Sequence, residues 1–429
     1  MPRGRLDNVR ARLEDGLLAA KRLGASAAKI VYEEGDDTGA SFENGRLKSA
    51  DARESIHYAV EVLAGGKKGR AGGNDLSGLE EMVSRAVALS KAGAVAHFDA
   101  YPPPAAPHPV AMRSESAAAL TRQKMIASLE EIVDALRAYD PELFIGGEAQ
   151  RGESRAVLMT TSGLVHEAAE TLWSLGAYAQ RTQGTDMLFS GCGRSWRDLS
   201  PFYDPPYIAR EILWELKRAE KIVDAPVGKV TAVFSPEVFA MLLHVVAMGV
   251  NGRNVAKGES PLRGRLGERV LADAITITDN PHVDYSCGAA EIDGDGVPTR
   301  VAALFDRGVL ATFLYDWDTA GLAHAQPTGN DNCSPYYLEV APGVRAGADI
   351  LAGLPDALYI RGLLGFGQSN VMNGDFASNV SLGYRVRGGE VVGRVKNTMV
   401  AGNVYELLSG AVELSSDRDE ERRLPHLLV

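Results

Sequence analysis

One histidine in an apolar stretch is the first candidate for metal chemistry in this sequence. His244 lies within residues 241–252, MLLHVVAMGVNG, shortly after Ser235-Pro236-Glu237. A helix binds zinc when two histidines about one turn apart face the metal and a nearby carboxylate activates the bound water. This stretch offers a single imidazole. Two interpretations follow: a vacated metal site, or a core or groove histidine with one hydrogen bond.

A second candidate is a pair of carboxylates for acid/base chemistry. Asp316 and Asp318 flank Trp317, and in an extended strand the two carboxylates would point to the same face. Paired carboxylates do acid/base work when their pKa values are driven apart. The alternative is a solvated strand end, because charged side chains are mostly exposed.

Three other side chains offer less support for a site. His282 and His324 could reach a metal only after folding, since their spacing matches no ligand motif. Cys192 lies between Gly191 and Gly193, but no helix pattern follows it, as a nucleophile elbow would require. The three cysteines are far apart and form no C-x-x-C pair, which predicts reduced thiols.

The elements that must position these residues predict an α+β fold. Residues 1–100 are predicted as an α+β domain, with a helix from Val9 to Leu23, strands, and a hairpin turn at Asn44-Gly45. A proline-rich linker spans 101–115 and a central α+β domain spans 116–226, with a helix over 116–138. Short strands between regular turn signals predict an antiparallel, β-rich, barrel-like domain over 227–429.

Composition excludes two classes of partner. The net charge is −11 and the acids are spread along the chain, so no basic surface is available for nucleic acid. The sequence contains neither a run of apolar residues long enough to cross a bilayer nor an apolar signal-peptide core at its start. We therefore expect a cytoplasmic protein that binds neither nucleic acid nor membrane.

Several strings in fixed order resemble the TldD/PmbA family over nearly the whole chain. They include FENGRLKSADARES near the start, DGVPTRVAALFDRGVLATFLYDWDTA at 295–320, YLEVAPG at 337–343 and NGDFASNVSLGYRVRGGEVVGRVKNTMVAGN at 373–403. The resemblance implies one of two kinds of subunit. The TldD type is a zinc protease with a His-Glu-x-x-x-His helix and a C-terminal cysteine ligand, whereas the PmbA (TldE) type lacks this site and partners the first.

Matching that helix to this chain places it on the metal-free side. His244 takes the place of the first histidine, but Val245 stands where the family has glutamate and Gly249 where it has the second histidine. No cysteine follows Leu414. We therefore expect no metal, no cofactor and no catalytic residue in this chain.

The leading hypothesis is a PmbA/TldE-like non-catalytic subunit of a two-component metallopeptidase that acts on flexible peptides. It implies a homodimer in isolation and a TldD-like zinc-bearing partner. The alternatives are a stand-alone homodimeric hydrolase of a small amide or peptide-derived intermediate, and a peptide-binding protein without catalysis. The residues expected to line the substrate cleft are His244, Tyr315, Asp316, His324, Asn330 and Asn373.

Overall fold

The computed structural model describes residues 3–368 and 370–429, with only the backbone described for residues 3–6. Its first half combines five helices with six long strands. The helices are α1 (Arg3–Arg22), α2 (Leu79–Ser90), α3 (Glu115–Ala118), α4 (Arg122–Tyr139) and α5 (Pro205–Arg218). The strands are β1 (Ala27–Glu43), β2 (Arg46–Ala64), β3 (Lys67–Gly73), β4 (Phe144–Thr160), β5 (Val165–Gln183) and β6 (Asp186–Trp196).

These six strands form one antiparallel sheet in the order β3-β2-β1-β4-β5-β6. Strand β1 pairs on one side with β2 and on the other with β4, where Lys29 lies opposite Thr160. Strands from both sides of the proline-rich segment therefore share one sheet. The boundary predicted at 101–115 does not separate two sheets, because β1 needs a second neighbour that only the later segment provides.

The proline-rich segment forms neither helix nor strand over residues 101–114, but it is not a free spacer. The backbone N–H of Ala111 donates to Asp284 at 2.8 Å, and the N–H of Tyr285 donates to the Ala111 carbonyl at 2.7 Å. The ring of His108 stacks on His282 with centroids 4.2 Å apart. These contacts fasten the segment to the C-terminal half of the chain.

The C-terminal half contains many short elements. Its helices are α6 (Pro236–Val250), α7 (Gly252–Lys257), α8 (Trp317–Ala323), α9 (Gly347–Ala352) and α10 (Val404–Ser409). Its strands are β7 (Ile222–Val223), β8 (Ala232–Phe234), β9 (Ile277–Asp279), β10 (Ala302–Asp306), β11 (Val309–Leu310), β12 (Leu338–Val340), β13 (Asp356–Leu364), β14 (Asp375–Arg387), β15 (Glu390–Val395), β16 (Met399–Asn403), β17 (Glu413–Asp419) and β18 (Leu424–Leu428).

These strands form two open sheets. The smaller has the order β11-β10-β9-β12, and the larger has the order β17-β18-β8-β13-β14-β15-β7 with β16 beside β14. Most pairs are antiparallel, but β8 with β13 and β7 with β15 are parallel. The predicted α+β class is confirmed. The barrel-like description fits loosely, since neither sheet closes on itself in the described part of the chain.

The helix expected over 116–138 is split into α3 and α4, because the Thr121 hydroxyl accepts the N–H of Lys124 and starts a new helix. Helix α5 ends at Arg218, and the chain then enters the short strand β7. No helix among the described residues is long and apolar enough to cross a bilayer.

Helix α5 joins the two halves of the molecule. It packs in a core that includes Trp173 of the first sheet and Tyr384 of the largest one. The Tyr384 hydroxyl donates to the Glu215 carbonyl at 2.9 Å. Arg361 of β13 also reaches α5, with its Nε 2.7 Å from Glu215 Oε1 and its Nη2 3.2 Å from Glu211 Oε2.

A buried acid near the first sheet predicts a pH-dependent stability. Asp293 is 2% exposed, and its Oδ1 accepts the N–H groups of Asp295 and Val297, both at 2.9 Å. Its Oδ2 has no hydrogen-bond partner in the described part of the chain. Burial, followed by the charge of Asp295, raises the pKa of Asp293 to about 7.

We expect Asp293→Asn to change how stability varies with pH. A carboxyl whose pKa is higher in the folded protein than in the unfolded chain loses its contribution as pH rises through the folded value. Between pH 5 and 8, the wild type should therefore lose about 2–3 kcal/mol more unfolding free energy than the variant. Urea unfolding at several pH values measures this. Parallel curves for the two proteins would contradict it.

Candidate functional site

Helix α6, which carries His244, is built from strong local signals. The hydroxyl of Ser235 accepts the N–H of Val238, and Pro236 occupies the first turn, where its missing N–H costs nothing. The helix ends at Asn251, whose side-chain oxygen accepts the N–H groups of Arg253 and Asn254 and starts α7. The sharp corner after α6 is therefore fixed by one asparagine.

The two faces of α6 have different surroundings. One face borders an open groove and carries Ala240, Leu243, His244, Ala247 and Met248, at the i, i+3, i+4, i+7 spacing of one helix face. His244 is exposed on this face. It is therefore a groove residue and not a core residue.

The other face of α6 is closed by packing. Val245 is 0% exposed, and its carbonyl accepts the Tyr405 hydroxyl at 3.3 Å. Gly249 is buried, and a Cβ placed there would lie 2.2 Å from Tyr405 Oη and 3.0 Å from Leu262 Cδ1. Val245 and Gly249, at the positions that hold glutamate and histidine in a zinc helix, thus face the interior. The atoms packed around Gly249 leave no room for an imidazole.

The groove has a volume of about 490 Å³ and is built from distant segments. Its walls come from the end of β6, from Cys287, from the loop that leads into β12, and from the segment before β18. The residues of these walls are Ser195, Trp196, Cys287, Ser334, Pro335, Tyr336, Tyr337, Leu338, Glu421, Arg422 and Leu424. Such a mostly apolar cleft with a few polar groups is typical of a ligand site.

Glu421 and Arg422 line one end of this groove and belong to a cluster of charged side chains behind it. Glu421 Oε1 accepts the N–H of Ser195 at 3.1 Å, and its Oε2 lies 3.7 Å from Arg194 Nε. Arg422 lies 3.5 Å from Asp419 and 3.7 Å from Glu237. Burial raises the pKa of Glu421, although the Ser195 N–H and the two arginines oppose that shift.

The other cleft candidates do not gather around His244. Asn330 is buried, and its side chain donates to Asp279 at 2.7 Å. His324 ends α8 in a left-handed conformation. The carbonyl of Asn373 accepts the Asn403 side chain at 2.9 Å, ahead of β14. Each of these three has a local structural role.

Tyr315 and Asp316 lie beyond the corner that follows α6. Tyr315 packs against Gly252, where a Cβ would lie 2.3 Å from the ring. Asp316 is 7% exposed and forms an ion pair with Arg253 at 2.6 Å. Asp316 and Arg253 line a separate, highly charged cavity. Neither Tyr315 nor Asp316 is among the described residues that line the groove beside His244.

The segment that carries Asp316 and Asp318 is not an extended strand as predicted, although both carboxylates line one charged cavity. Asp316 is the N-cap of α8 and accepts the N–H of Thr319 at 2.7 Å, whereas Asp318 lies within the first turn. Asp318 pairs with Lys68 at 2.8 Å. Burial alone would raise the pKa of Asp318, but the hydrogen bonds from Lys68 and the His97 N–H hold it below the usual value.

Cys192 is not placed or charged as a nucleophile. All three cysteines are free. Cys192 lies within β6 opposite Ala177, and burial raises the pKa of its thiol to about 12, far from a thiolate nucleophile. Across residues 3–368 and 370–429, no three His, Cys, Asp or Glu side chains are grouped to hold a metal ion.

Sequence reasoning missed most of the groove. Trp196, Tyr336, Tyr337 and Glu421 are separated along the chain and follow no spacing rule. The available signal is the helical period of small and apolar residues through Ala240 and Ala247. That period predicts one face of α6, but it does not predict which segments lie opposite that face.

Comparison with known proteins identifies this architecture. Residues 227–429 match the PmbA/TldA metallopeptidase C-terminal domain, and residues 28–90 match the PmbA/TldA metallopeptidase domain 1. The crystal structure of TldE from Thermococcus kodakarensis superposes with a TM-score of 0.89 at 21% identity, covering 97% of this chain and 98% of that one. At that identity the likeness shows the fold.

Curated relatives give the same result over shorter spans. A metalloprotease of Methanothermobacter thermautotrophicus is 27% identical over 62% of this chain and 61% of its own length. A metalloprotease PmbA homologue of Buchnera aphidicola subsp. Baizongia pistaciae is 26% identical over 46% of this chain and 43% of its own. An uncharacterised protein of Methanocaldococcus jannaschii is 29% identical over 44% and 46%. The chain thus spans about half to three-fifths of these relatives.

An N-terminal antiparallel sheet followed by a β-rich C-terminal half is the architecture of the PmbA/TldA domains that this chain matches. The chain belongs to the PmbA/TldD family, as its sequence motifs predicted.

Proposed function

We propose that this chain is the PmbA/TldE-like, non-catalytic subunit of a cytoplasmic two-component metallopeptidase that acts on flexible peptides. The observation that carries the proposal is the surroundings of α6. His244 faces the groove alone, while Val245 and Gly249 are packed against Tyr405 and Leu262. One imidazole does not meet the coordination number of zinc, and a valine cannot activate water. A zinc-bearing TldD-like partner would supply the cutting site.

The groove supports a role in holding peptide. It is open, mostly apolar and bordered by the end of strand β6 and the start of β12. A cleft of this kind can hold an extended peptide without requiring one sequence.

We expect the isolated chain to form a homodimer. Light scattering at micromolar concentration measures its mass, and the mass of a monomer would contradict this prediction.

Zinc analysis tests the metal-free assignment. We expect the purified wild-type chain, dialysed without chelator, to contain less than about 0.1 zinc per chain, because a single ligand cannot retain the ion. His244→Ala should give the same value. Stoichiometric zinc that survives dialysis and disappears in His244→Ala would overturn the assignment.

A peptidase assay tests the subunit role. The chain is co-expressed with a TldD-like protein from its own genome, and unfolded casein peptides are offered to each protein and to the pair. We expect cleavage by the pair, none by this chain alone, and loss when the zinc ligands of the partner are replaced. Hydrolysis by this chain alone would favour the stand-alone hydrolase instead.

A further inference from the structure

A charged cavity of about 340 Å³ lies where the first sheet meets the C-terminal half of the chain. Strands β1, β2 and β3 form one wall, and residues of α7, of α8 and of the segments 294–295 and 331–332 form the other. Nine ionisable side chains line it, four of them cationic and five anionic. A volume of this size is that of a site for a small molecule.

Most of these charges are already neutralised by a neighbour. The fifth carboxylate, that of Asp331, is satisfied by hydrogen bonds, because its Oδ1 accepts the N–H of Gly294 at 2.7 Å and its Oδ2 accepts the Tyr336 hydroxyl at 3.0 Å. Arg70 and Glu61 carry the two opposite charges that remain. The other six groups form three ion pairs: Lys68 with Asp318 at 2.8 Å, Arg253 with Asp316 at 2.6 Å, and Lys29 with Asp295 at 2.5 Å.

Arg70 and Glu61 are neighbours that do not pair with each other. Arg70 of β3 lies directly opposite Glu61 of β2, on the same face of the sheet. Glu61 Oε1 accepts the Tyr101 hydroxyl at 2.8 Å and lies 3.7 Å from Lys29 Nζ. Its Oε2 has no hydrogen-bond partner in the described part of the chain, and the side chain is 22% exposed. Arg70 is exposed and forms neither a hydrogen bond nor an ion pair with any described residue.

An apolar surface adjoins these two open charges. Ala59 lies two residues before Glu61 on β2, and its partner across the ladder is Val31 of β1. Both line the cavity together with Phe98, whose ring lies 5.3 Å from that of Tyr101 between centroids. A ligand whose charged head lies between Arg70 and Glu61 can therefore rest a short apolar side chain on carbon.

The balance of charge favours a ligand that carries both signs. A simple anion would be attracted by Arg70 but repelled by the carboxylates, which outnumber the cations of the lining. A carboxylate and an ammonium attached to one carbon meet complementary groups, since Cβ atoms directly opposite across an antiparallel pair are about 5 Å apart. A guanidinium also matches the planar carboxylate with two parallel hydrogen bonds.

We propose that this cavity binds a free α-amino acid with an aliphatic side chain, whose carboxylate pairs with Arg70 and whose ammonium pairs with Glu61. The site is separate from the groove beside His244. The inference goes beyond the proposed function and does not depend on it, because it concerns only the groups of this one cavity.

Calorimetric titration of the isolated chain tests the inference. The probe is L-leucine, compared with N-acetyl-L-leucine, which lacks the ammonium, and with L-leucinamide, which lacks the carboxylate. We expect L-leucine to bind at about millimolar affinity or tighter, and each derivative to bind at least about tenfold more weakly. Leucyl-leucine, which separates the two charges, should also bind more weakly.

Variants of the chain locate the site. Arg70→Gln and Glu61→Gln should each weaken L-leucine binding about tenfold or more. Arg85→Gln removes another exposed arginine, on α2, and should leave binding unchanged. Arg70→Gln should also remove the preference for L-leucine over L-leucinamide, and Glu61→Gln the preference over N-acetyl-L-leucine. Thermal melts check that all three variants fold.

Every result of these titrations supports or contradicts the site. Absence of L-leucine binding to the wild type at millimolar concentration would overturn the proposal. Unchanged binding by Arg70→Gln or by Glu61→Gln would do the same, since each residue supplies one half of the charge match. Leucyl-leucine that binds more tightly than L-leucine would refute a site for a single amino acid. Cleavage of peptides by the pair is a separate measurement, and its failure would affect only the proposed function.

Discussion

Replacing Gly249 with histidine is expected to lower the free energy of unfolding by about 3 kcal/mol or more and to create no zinc site. The reason is steric, since a Cβ at this position would lie 2.2 Å from Tyr405 Oη and 3.0 Å from Leu262 Cδ1. A close-packed interior cannot absorb an imidazole there without moving α10. Urea unfolding and elemental analysis measure the two effects. The double variant with Val245→Glu should be less stable still.

The control for this prediction uses Tyr405. Gly249→Ala should be destabilising in the wild type and much less so when Tyr405→Phe removes the oxygen it meets. Tyr405→Phe alone loses only the 3.3 Å hydrogen bond to the Val245 carbonyl, worth about 1 kcal/mol. Additive effects of the two substitutions, or a Gly249→His variant as stable as the wild type, would refute the steric argument.

Replacing Arg361 with methionine is expected to cost about 3–5 kcal/mol of unfolding free energy at pH 8, because it leaves a buried carboxylate unpaired. Glu215 is 5% exposed and receives hydrogen bonds from Arg361 at 2.7 Å and from Ser190 at 2.5 Å. Arg361 also ties β13 to α5 through Glu211. Urea unfolding of the variant measures the loss.

The loss should depend on pH in a defined direction. Burial raises the pKa of Glu215, and Arg361 partly opposes the shift. Without the arginine the folded pKa rises further, so the variant loses stability as pH rises through that value and its deficit shrinks at pH 5. The double variant Glu215→Gln with Arg361→Met should recover most of the loss. An equal deficit at pH 5 and pH 8 would contradict the assigned charge.

Local signals in the sequence predicted local structure well. The turn at Asn44-Gly45 joins β1 to β2 with φ values of +48° and +65°, as that dipeptide favours. The N-terminal signal Ser235-Pro236 marks the start of α6. In both places, residues adjacent in the chain determine the backbone through short-range hydrogen bonds and steric limits.

One local signal was misread: Asp316 and Asp318 alternate as a strand would, yet the Asp316 side chain accepts the Thr319 N–H and starts a helix instead. Long-range features could not be read from the sequence in the same way. The charge at the end of the groove depends on Arg194 of β6 meeting residues 419–422. Such contacts depend on how the sheets pack against each other, and no residue spacing in the sequence predicts them.

The pairing of β1 with β4 has a consequence for how the protein is made. Residues up to Gly73 can form the three strands β3, β2 and β1, but Val31 and its neighbours must wait for residues near Leu158 before the other edge of β1 is covered. An emerging chain therefore exposes a long unpaired strand edge while the 74 to 87 residues after Gly73 are synthesised. A fragment that stops at the proline-rich segment would retain that edge permanently and would be expected to aggregate.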